Sequence, residues 1–193
     1  MATTTIYKLV FAGPVGAGKT TAIQSLSDIE VVATDAHASD EVQDIKPTTT
    51  VAMDYGLMRL PGGHQVRLYG TPGQKRFDFM WEILTENALG LVLLINAAAE
   101  DPVRDLRTYL AEFKTLIDQT TVVIGMSHTD RGPWDARARV NRELERLGLH
   151  PCVMDVDARR REDMTQLVKA LIYTIDPFTG VGEGISPTSR LHA

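Results

Sequence analysis

The chain has 193 residues, of which 44% are hydrophobic and 23% are charged, and its formal net charge is −5 at pH 7. These values are ordinary for a globular protein, and the length suits one domain better than two. The acidic balance argues against nucleic-acid binding, the single cysteine excludes an internal disulfide, and no apolar run reaches the ~20 residues of a membrane span.

The two termini and the cysteine indicate a cytoplasmic protein without a membrane anchor of its own. The first residues form neither a signal peptide nor an acylation site, and the last residues contain no cysteine for prenylation. Any recruitment to a membrane would therefore act through a partner. Cys152 is expected in a buried strand as a small apolar residue, which suits a reducing compartment.

A glycine-rich segment, residues 13–20, has the sequence GPVGAGKT and matches the phosphate-binding pattern G-x-x-x-x-G-K-[ST]. Glycines let the backbone N–H groups curl around an anion, and the following helix directs its positive dipole end there. Lys19 would supply charge to the outer phosphates, and the Thr20 hydroxyl would bind Mg²⁺. A strand before the segment and a helix after it favour this interpretation over a glycine-rich turn that binds nothing. The predicted phosphate-binding residues are Gly13, Val15, Gly16, Ala17, Gly18, Lys19, Thr20 and Thr21.

The whole chain alternates between short apolar runs and segments with helical spacing. This alternation predicts an α/β fold with a mostly parallel sheet, one antiparallel edge strand and helices on both faces. Residues 1–176 would form the domain, and 177–193 an irregular tail. Strands are predicted at 6–12, 51–60, 64–69, 91–95, 121–124 and 151–156, helices at 20–26, 103–117, 136–147 and 164–175, and a mobile loop at 34–50.

The predicted helix at 136–147 is densely charged. Four arginines alternate there with two glutamates, a pattern that we interpret as a solvated helix face. These residues are Arg137, Arg139, Arg142, Glu143, Glu145 and Arg146.

Polar or glycine-containing loops follow several of the predicted strands. In an open α/β sheet, ligands bind beyond the carboxyl ends of the parallel strands, so these loops should meet at one edge. Their convergence predicts a nucleotide site. The loops are 13–20, 70–74, 127–130 and 157–159, together with 48–50 before the hairpin.

In these motifs and their order, residues 6–175 resemble the Ras-like small GTPases, and among them the bacterial MglA-like branch associated with roadblock-domain partners. The resemblance implies a P-loop NTPase fold with a six-stranded sheet. It implies that Thr50, with Thr49 as second choice, binds Mg²⁺ and senses the γ-phosphate. In the segment PGQ, the Gly73 N–H would contact the γ-phosphate, and Gln74 would orient the attacking water.

The resemblance also assigns the base-binding residues. Asp130 would accept hydrogen bonds from the N1 and N2 groups of guanine, and His128 could stack on the base where the family has lysine. The segment Asp157-Ala158-Arg159 occupies the last base-binding motif, where the Ala158 N–H would meet the guanine carbonyl.

One departure from the family concerns the metal. The aspartate that usually precedes the second switch loop is Gly70 here, which removes a water-mediated ligand of Mg²⁺. The MglA-like branch shares this departure. Asp54, on the neighbouring strand, is our candidate replacement, and the alternative is a solvated carboxylate at a strand end.

The implied activity is Mg²⁺-dependent hydrolysis of GTP to GDP by a molecular switch, slow unless an arginine such as Arg76 neutralises the transition state. A roadblock-type regulator and downstream effectors would be its partners. Two alternatives remain open: a small phosphate-loop kinase for a nucleotide or metabolite, and a nucleotide-dependent binding module that does not hydrolyse.

Overall fold

The computed structural model describes residues 5–33, 53–72 and 85–175. The expected loop at 34–50 and the expected tail lie outside these ranges, so both stay predictions. Seven strands are described: β1 Ile6–Ala12, β2 Val32–Ala33, β3 Asp54–Arg59, β4 Gln65–Gly70, β5 Gly90–Asn96, β6 Val122–Ser127 and β7 Cys152–Asp155. The described helices are α1 Lys19–Leu26, α2 Pro102–Glu112, α3 Lys114–Gln119, α4 Ala136–Arg146 and α5 Arg161–Ile175.

The strands form one sheet in the order β2-β3-β4-β1-β5-β6-β7. Strand β1 pairs in parallel with β4 and β5, and the parallel pairing continues through β6 to β7. The hairpin makes β3 antiparallel to β4. All six predicted strands are present, and the two-residue β2 pairs outside β3, so β3 lies one place in from the edge.

Strand β5 explains why the sheet is covered on both faces. Side chains alternate between the two faces of a strand, and all of its apolar residues are buried. Leu91, Leu93 and Ile95 contribute to a core beneath α2, α3 and α4. Val92 and Leu94 contribute to a second core beneath α1 and α5. The continuous apolar run therefore specifies a strand between two helical layers.

Three local predictions differ from the structure. The helical pattern at 103–117 is divided at Phe113 into α2 and α3. Cys152 is exposed, because β7 is the last strand of the sheet and has a neighbour on one side only. Glu143 is buried rather than solvated, since Arg107 reaches it from α2 and Arg146 from its own helix.

The topology places four loops at one edge of the sheet. Since β1, β4, β6 and β7 run parallel, the loops that follow them leave from the same side. Helix α2 begins on that side with Asp101 as its N-cap, whose Oδ1 accepts a hydrogen bond from the Arg104 N–H at 3.0 Å. Within the described ranges, no helix is both long and apolar enough to cross a bilayer.

Candidate functional site

The loop between β1 and α1 has the backbone geometry of an anion cradle. Gly13, Gly16 and Gly18 have φ values of 142°, 78° and 95°, which side-chain-bearing residues rarely adopt. The Ala17 N–H closes the loop on the Pro14 carbonyl at 3.2 Å. The first turn of α1 contains no acidic residue, so its positive end is available to a ligand anion.

Lys19 lies across this cradle. Its Nζ donates hydrogen bonds to the carbonyl oxygens of Gly13 at 2.7 Å and Pro14 at 2.9 Å. The residue is only 8% exposed. Burial lowers the pKa of Lys19 to about 8, although the nearby Asp54 carboxylate acts in the opposite direction. The ammonium is thus fixed beside the loop, and a bound phosphate would stabilise its charge.

A hydroxyl and a carboxylate meet where the loop enters α1. The Thr20 Oγ1–H donates to Asp54 Oδ2 at 2.6 Å, which brings together two of the three predicted metal ligands. Asp54 also lies directly opposite Gly70 in the β3–β4 register. A Cβ built on Gly70 would lie 2.9 Å from Asp54 Oδ2 and 3.0 Å from Asp54 Cβ. The glycine that removes the usual carboxylate therefore makes room for another from the next strand.

The chemistry of this pair suits Mg²⁺, which prefers hard oxygen ligands and retains several waters. In the described part of the chain, no group of three or more His, Cys, Asp or Glu residues could hold a metal ion by itself. A magnesium ion at Thr20 and Asp54 would therefore need waters and ligand phosphates to complete its coordination.

A cavity of about 760 Å³ extends from α1 towards the loops after β6 and β7. The phosphate loop and the loop after β7 approach each other closely at Gly18 and Ala158, since a Cβ on Gly18 would lie 3.1 Å from the Ala158 Cβ. The volume suits a small organic ligand. The lining residues are Gly18, Thr21, Ser127, His128, Thr129, Asp130, Arg131, Asp155, Val156, Asp157, Ala158, Arg159 and Asp163.

The loop after β6 is attached to the phosphate loop by side chains. The buried Ser127 Oγ–H donates to the Ala17 carbonyl at 2.9 Å. His128, in the left-handed region with φ 55°, places Nε2 3.1 Å from the Gly16 carbonyl. Asp130 is 72% exposed on its side chain and lines the cavity, with Arg131 Nε at 3.9 Å from Oδ2. The carboxylate is therefore accessible to a ligand.

The loop after β7 carries a paired carboxylate. Arg159 Nη2 donates to Asp157 Oδ2 at 2.7 Å, and Nε donates to Oδ1 at 2.9 Å. These side-chain bonds, together with one from the Arg159 backbone, lower the pKa of Asp157 to about 2. The Asp157 N–H donates to Asp163 Oδ2 at 3.0 Å, which ties this loop to the first turn of α5.

The structure brings together the predicted phosphate loop, Asp54, His128, Asp130 and the segment 157–159. The predicted residues Thr50, Gly73, Gln74 and Arg76, together with the second-choice Thr49, lie outside the described residues. Their roles stay predictions.

Sequence reasoning missed the lining residues Asp155 and Asp163, and the contact between Arg131 and His128. A polar residue at the carboxyl end of β7 is the available signal for Asp155, and the acidic first turn of α5 is the signal for Asp163. The contact of Arg131 with His128 spans only three residues, but a loop without a periodic pattern does not indicate which of its side chains meet.

Comparisons with known proteins identify the fold. No family profile matches the chain, and no curated protein matches it in sequence. The crystal structure of the bacterial selenocysteine-specific elongation factor EF-Sec is similar, with a TM-score of 0.59 and 18% identity, over 90% of this chain and 30% of that chain. The chain thus has the predicted α/β fold of the P-loop NTPase class, with a mostly parallel sheet, an antiparallel hairpin and helices on both faces. In all, 1309 chains of solved structures match this chain. Fold alone does not decide activity, because one fold hosts many unrelated functions.

Proposed function

We propose that this protein is a GTP-binding molecular switch that hydrolyses GTP to GDP with Mg²⁺. The observation that carries the proposal is that two parts of the candidate site adjoin each other. The first end is an anion cradle with Lys19, and the second end is a cavity lined by the exposed carboxylate of Asp130. The first end suits a polyphosphate, and the second suits a base that presents adjacent N–H donors. Guanine presents such donors at N1 and N2, whereas adenine presents an acceptor at N1 and only a C–H group at position 2.

The phosphate end supplies fixed charge and dipoles. Backbone N–H groups of the glycine loop and the Lys19 ammonium would bind the phosphates, and the N-terminus of α1 would face them. The oxygens of Thr20 and Asp54 would hold Mg²⁺ directly or through water. When bound, Mg²⁺ would neutralise charge that develops on the phosphate oxygens. Thr20 and Asp54 would thus orient the outer phosphates for in-line attack.

The finer parts of the proposal come from the family resemblance. Gln74 would orient the water, Gly73 and Thr50 would contact the γ-phosphate, and Arg76 is the candidate for neutralising the transition state. Turnover would be slow without a partner. A place in the MglA-like branch, a roadblock-type regulator, downstream effectors and a cytoplasmic location belong to the same proposal.

The base is tested by an exchange at Asp130. Asp130→Asn replaces an acceptor oxygen with an NH₂ donor, so affinity for GTP and GDP should fall while affinity for xanthine nucleotides rises. The measurement is equilibrium binding of GDP, XDP and ADP with the purified full chain and Mg²⁺. The matched control is Asp118→Asn on the exposed face of α3, where the preference for GDP should persist. Equal affinity for ADP and GDP in the wild type would contradict the guanine assignment.

Hydrolysis is tested by phosphate release in single-turnover reactions with GTP. Slow release that Gln74→Ala abolishes would support the switch. Stable GTP after prolonged incubation, with guanine binding intact, would instead favour a binding module that does not hydrolyse. Release of GDP that depends on an added small-molecule phosphate acceptor would favour a kinase.

The metal site is tested by moving its carboxylate. Asp54→Ala should raise the Mg²⁺ concentration needed to slow GDP dissociation by about 10-fold to 100-fold, the usual effect of losing a group that supports a metal. Gly70→Asp in an Asp54→Gly background should restore part of this dependence, because the two positions are directly opposed and the glycine removes the Cβ that would crowd the new side chain. Gly70→Asp alone should crowd Asp54 and weaken Mg²⁺ binding. An Asp54→Ala variant with wild-type Mg²⁺ dependence would show that Asp54 does not serve the metal.

A further inference from the structure

The outer edge of β3 is paired by a strand over only part of its length. Strand β2 contributes two residues, which pair with the first two residues of β3. Beyond that point, the outward backbone groups belong to Leu57 and Arg59, because such groups alternate along a strand. These groups are hydrogen-bonded by Ser27 and Asp28, the two residues that follow α1. We call Ser27 and Asp28 the β3 clamp.

The β3 clamp binds β3 through both backbone and side-chain groups. The Leu57 N–H donates to Ser27 Oγ at 3.1 Å, and the Asp28 N–H donates to the Leu57 carbonyl at 2.7 Å. The Arg59 N–H donates to Asp28 Oδ2 at 2.7 Å. Arg161, at the start of α5, donates from Nη2 to Asp28 Oδ1 at 2.7 Å. The clamp therefore joins the end of α1, the second half of β3 and the start of α5.

Helix α1 packs along the face of β3 that carries Asp54. Side chains alternate along a strand, so Asp54 and position 56 share this face. At the start of α1, the Thr20 hydroxyl donates to Asp54 Oδ2. Further along the helix, a Cβ built on Gly56 would lie 2.8 Å from Ile23 Cγ2 and 3.0 Å from Ser27 Oγ. Helix and strand are thus in close contact from the proposed metal site to the clamp.

The register of β3 decides whether Asp54 can reach Thr20. Successive residues of a strand are about 3.4 Å apart, so a shift of β3 by two residues would move the carboxylate by about 7 Å. That distance would break the hydrogen bond to Thr20. The same shift would place the side chain of a neighbouring residue where Gly56 now packs against α1. The clamp resists this shift because it holds two N–H groups and one carbonyl of β3.

We propose that the β3 clamp positions the carboxylate of Asp54 for Mg²⁺. This inference rests on the proposed function, in which Thr20 and Asp54 hold the ion. The two clamp residues act through the backbone of β3, so they are positioning residues and not metal ligands. Neither residue lines the base cavity or belongs to the phosphate loop. Loss of the clamp should therefore weaken Mg²⁺ binding and leave nucleotide binding without Mg²⁺ unchanged.

The test measures the Mg²⁺ concentration that half-maximally slows dissociation of fluorescently labelled GDP from the full chain. Substituting Ser27→Ala together with Asp28→Ala removes both side-chain acceptors at the edge of β3. This concentration should rise about threefold to tenfold, the effect of losing roughly one net hydrogen bond. Dissociation in EDTA should match the wild type. The matched control is Ser25→Ala, because the Ser25 hydroxyl donates to the Ala22 carbonyl within α1.

A second experiment separates positioning from a general loss of stability. The double substitution is repeated in an Asp54→Ala background, and the Mg²⁺ requirement is measured again. Since the clamp acts through the Asp54 carboxylate, its removal should cause no further change there. A general loss of stability would add its effect in either background.

Hydrogen exchange in the GDP-bound wild type tests the inference without any variant. Coupling between two sites is reciprocal, so Mg²⁺ should slow exchange at the Leu57 and Arg59 amides. The Leu147 amide, which is hydrogen-bonded at the end of α4, serves as the control and should exchange equally with and without Mg²⁺.

Three outcomes would overturn the inference and leave the proposed function standing. They are an unshifted Mg²⁺ requirement in the double variant, a further shift in the Asp54→Ala background, and exchange at Leu57 and Arg59 that does not respond to Mg²⁺. A wild type that binds no GDP would overturn both.

Discussion

Lys19 shows how a single buried charge would couple the proposed phosphate binding to pH. Its pKa is about 8 in the free protein because burial disfavours the ammonium. Bound phosphates would raise that pKa again, so binding above pH 8 requires uptake of a proton. Affinity should therefore be nearly constant below pH 8 and fall above it, by about tenfold between pH 7 and 9.

This dependence can be measured by calorimetry of GDP binding in two buffers of different ionisation enthalpy, which reports proton uptake directly. Uptake should approach one proton at pH 9 and vanish near pH 7. Lys169→Met, an exposed lysine on α5, serves as the control and should match the wild type. Constant affinity from pH 7 to 9 would show that Lys19 keeps its charge in the free protein.

For single residues, the sequence predicts a role in the site when the residues that act together lie close along the chain. The segment 13–20 was identifiable because its glycines, lysine and threonine act within one turn of backbone. Asp54 could be proposed from its place on the adjacent strand, but its contact with Thr20 depends on the hairpin register. The contact between His128 and Gly16 spans 112 positions, so no local pattern indicates it.

Helices α2 and α4 are joined by a carboxylate that sequence patterning assigns to solvent. Glu143 is 6% exposed and accepts hydrogen bonds from Arg107 at 2.7 Å and Arg146 at 2.6 Å. An alternation of arginine and glutamate describes a solvated helix equally well, so the burial of Glu143 becomes visible only once α2 packs against α4. Strand β7 shows the same limit, because an apolar strand sequence does not reveal that its outer side has no neighbour.

The Glu143 cluster predicts a stability change with a definite dependence on pH. Hydrogen bonds from Arg107 and then Arg146 hold the pKa of Glu143 far below its ordinary 4.5. A carboxyl group with a depressed folded-state pKa contributes its full stabilisation above the unfolded-state pKa. This contribution shrinks below that pH and is lost as the pH falls through the folded-state pKa. Glu143→Gln should therefore lower the melting temperature at pH 7, and by less at pH 3.5. The loss at pH 7 should be only a few degrees, because the two arginines are partly solvated.

Thermal unfolding at both pH values checks this prediction. The matched control is Glu145→Gln, an exposed glutamate on the same helix, which should melt like the wild type at either pH. An equal loss in Glu143→Gln at pH 7 and pH 3.5 would indicate a packing defect and not a charge effect.

For the molecule as a whole, strand and helix alternation was sufficient to predict the fold class and the edge of the sheet at which the four loops meet. The apolar strands are buried only when helices cover both faces of the sheet. Because β1, β4, β6 and β7 run parallel, the loops that follow them meet at one edge. Activity is not determined in this way, because two of the predicted catalytic residues, Gln74 and Arg76, lie outside the described residues. Thr50 and Gln74 therefore need direct tests.

A site assembled from loops of several strands would couple the proposed nucleotide binding to global stability. A ligand that binds only the folded state at 100 times its Kd stabilises that state by about 2.7 kcal/mol. At roughly 2–4 °C per kcal/mol for a domain of this size, GDP with Mg²⁺ should raise the melting temperature by about 5–11 °C. Lys19→Met should abolish the shift. The ligand-free melting temperature should change little, because the loss of hydrogen bonds to Gly13 and Pro14 opposes the gain from removing a buried charge. Lys169→Met should melt like the wild type with and without GDP. A GDP shift that persists in Lys19→Met would place the nucleotide away from the phosphate loop.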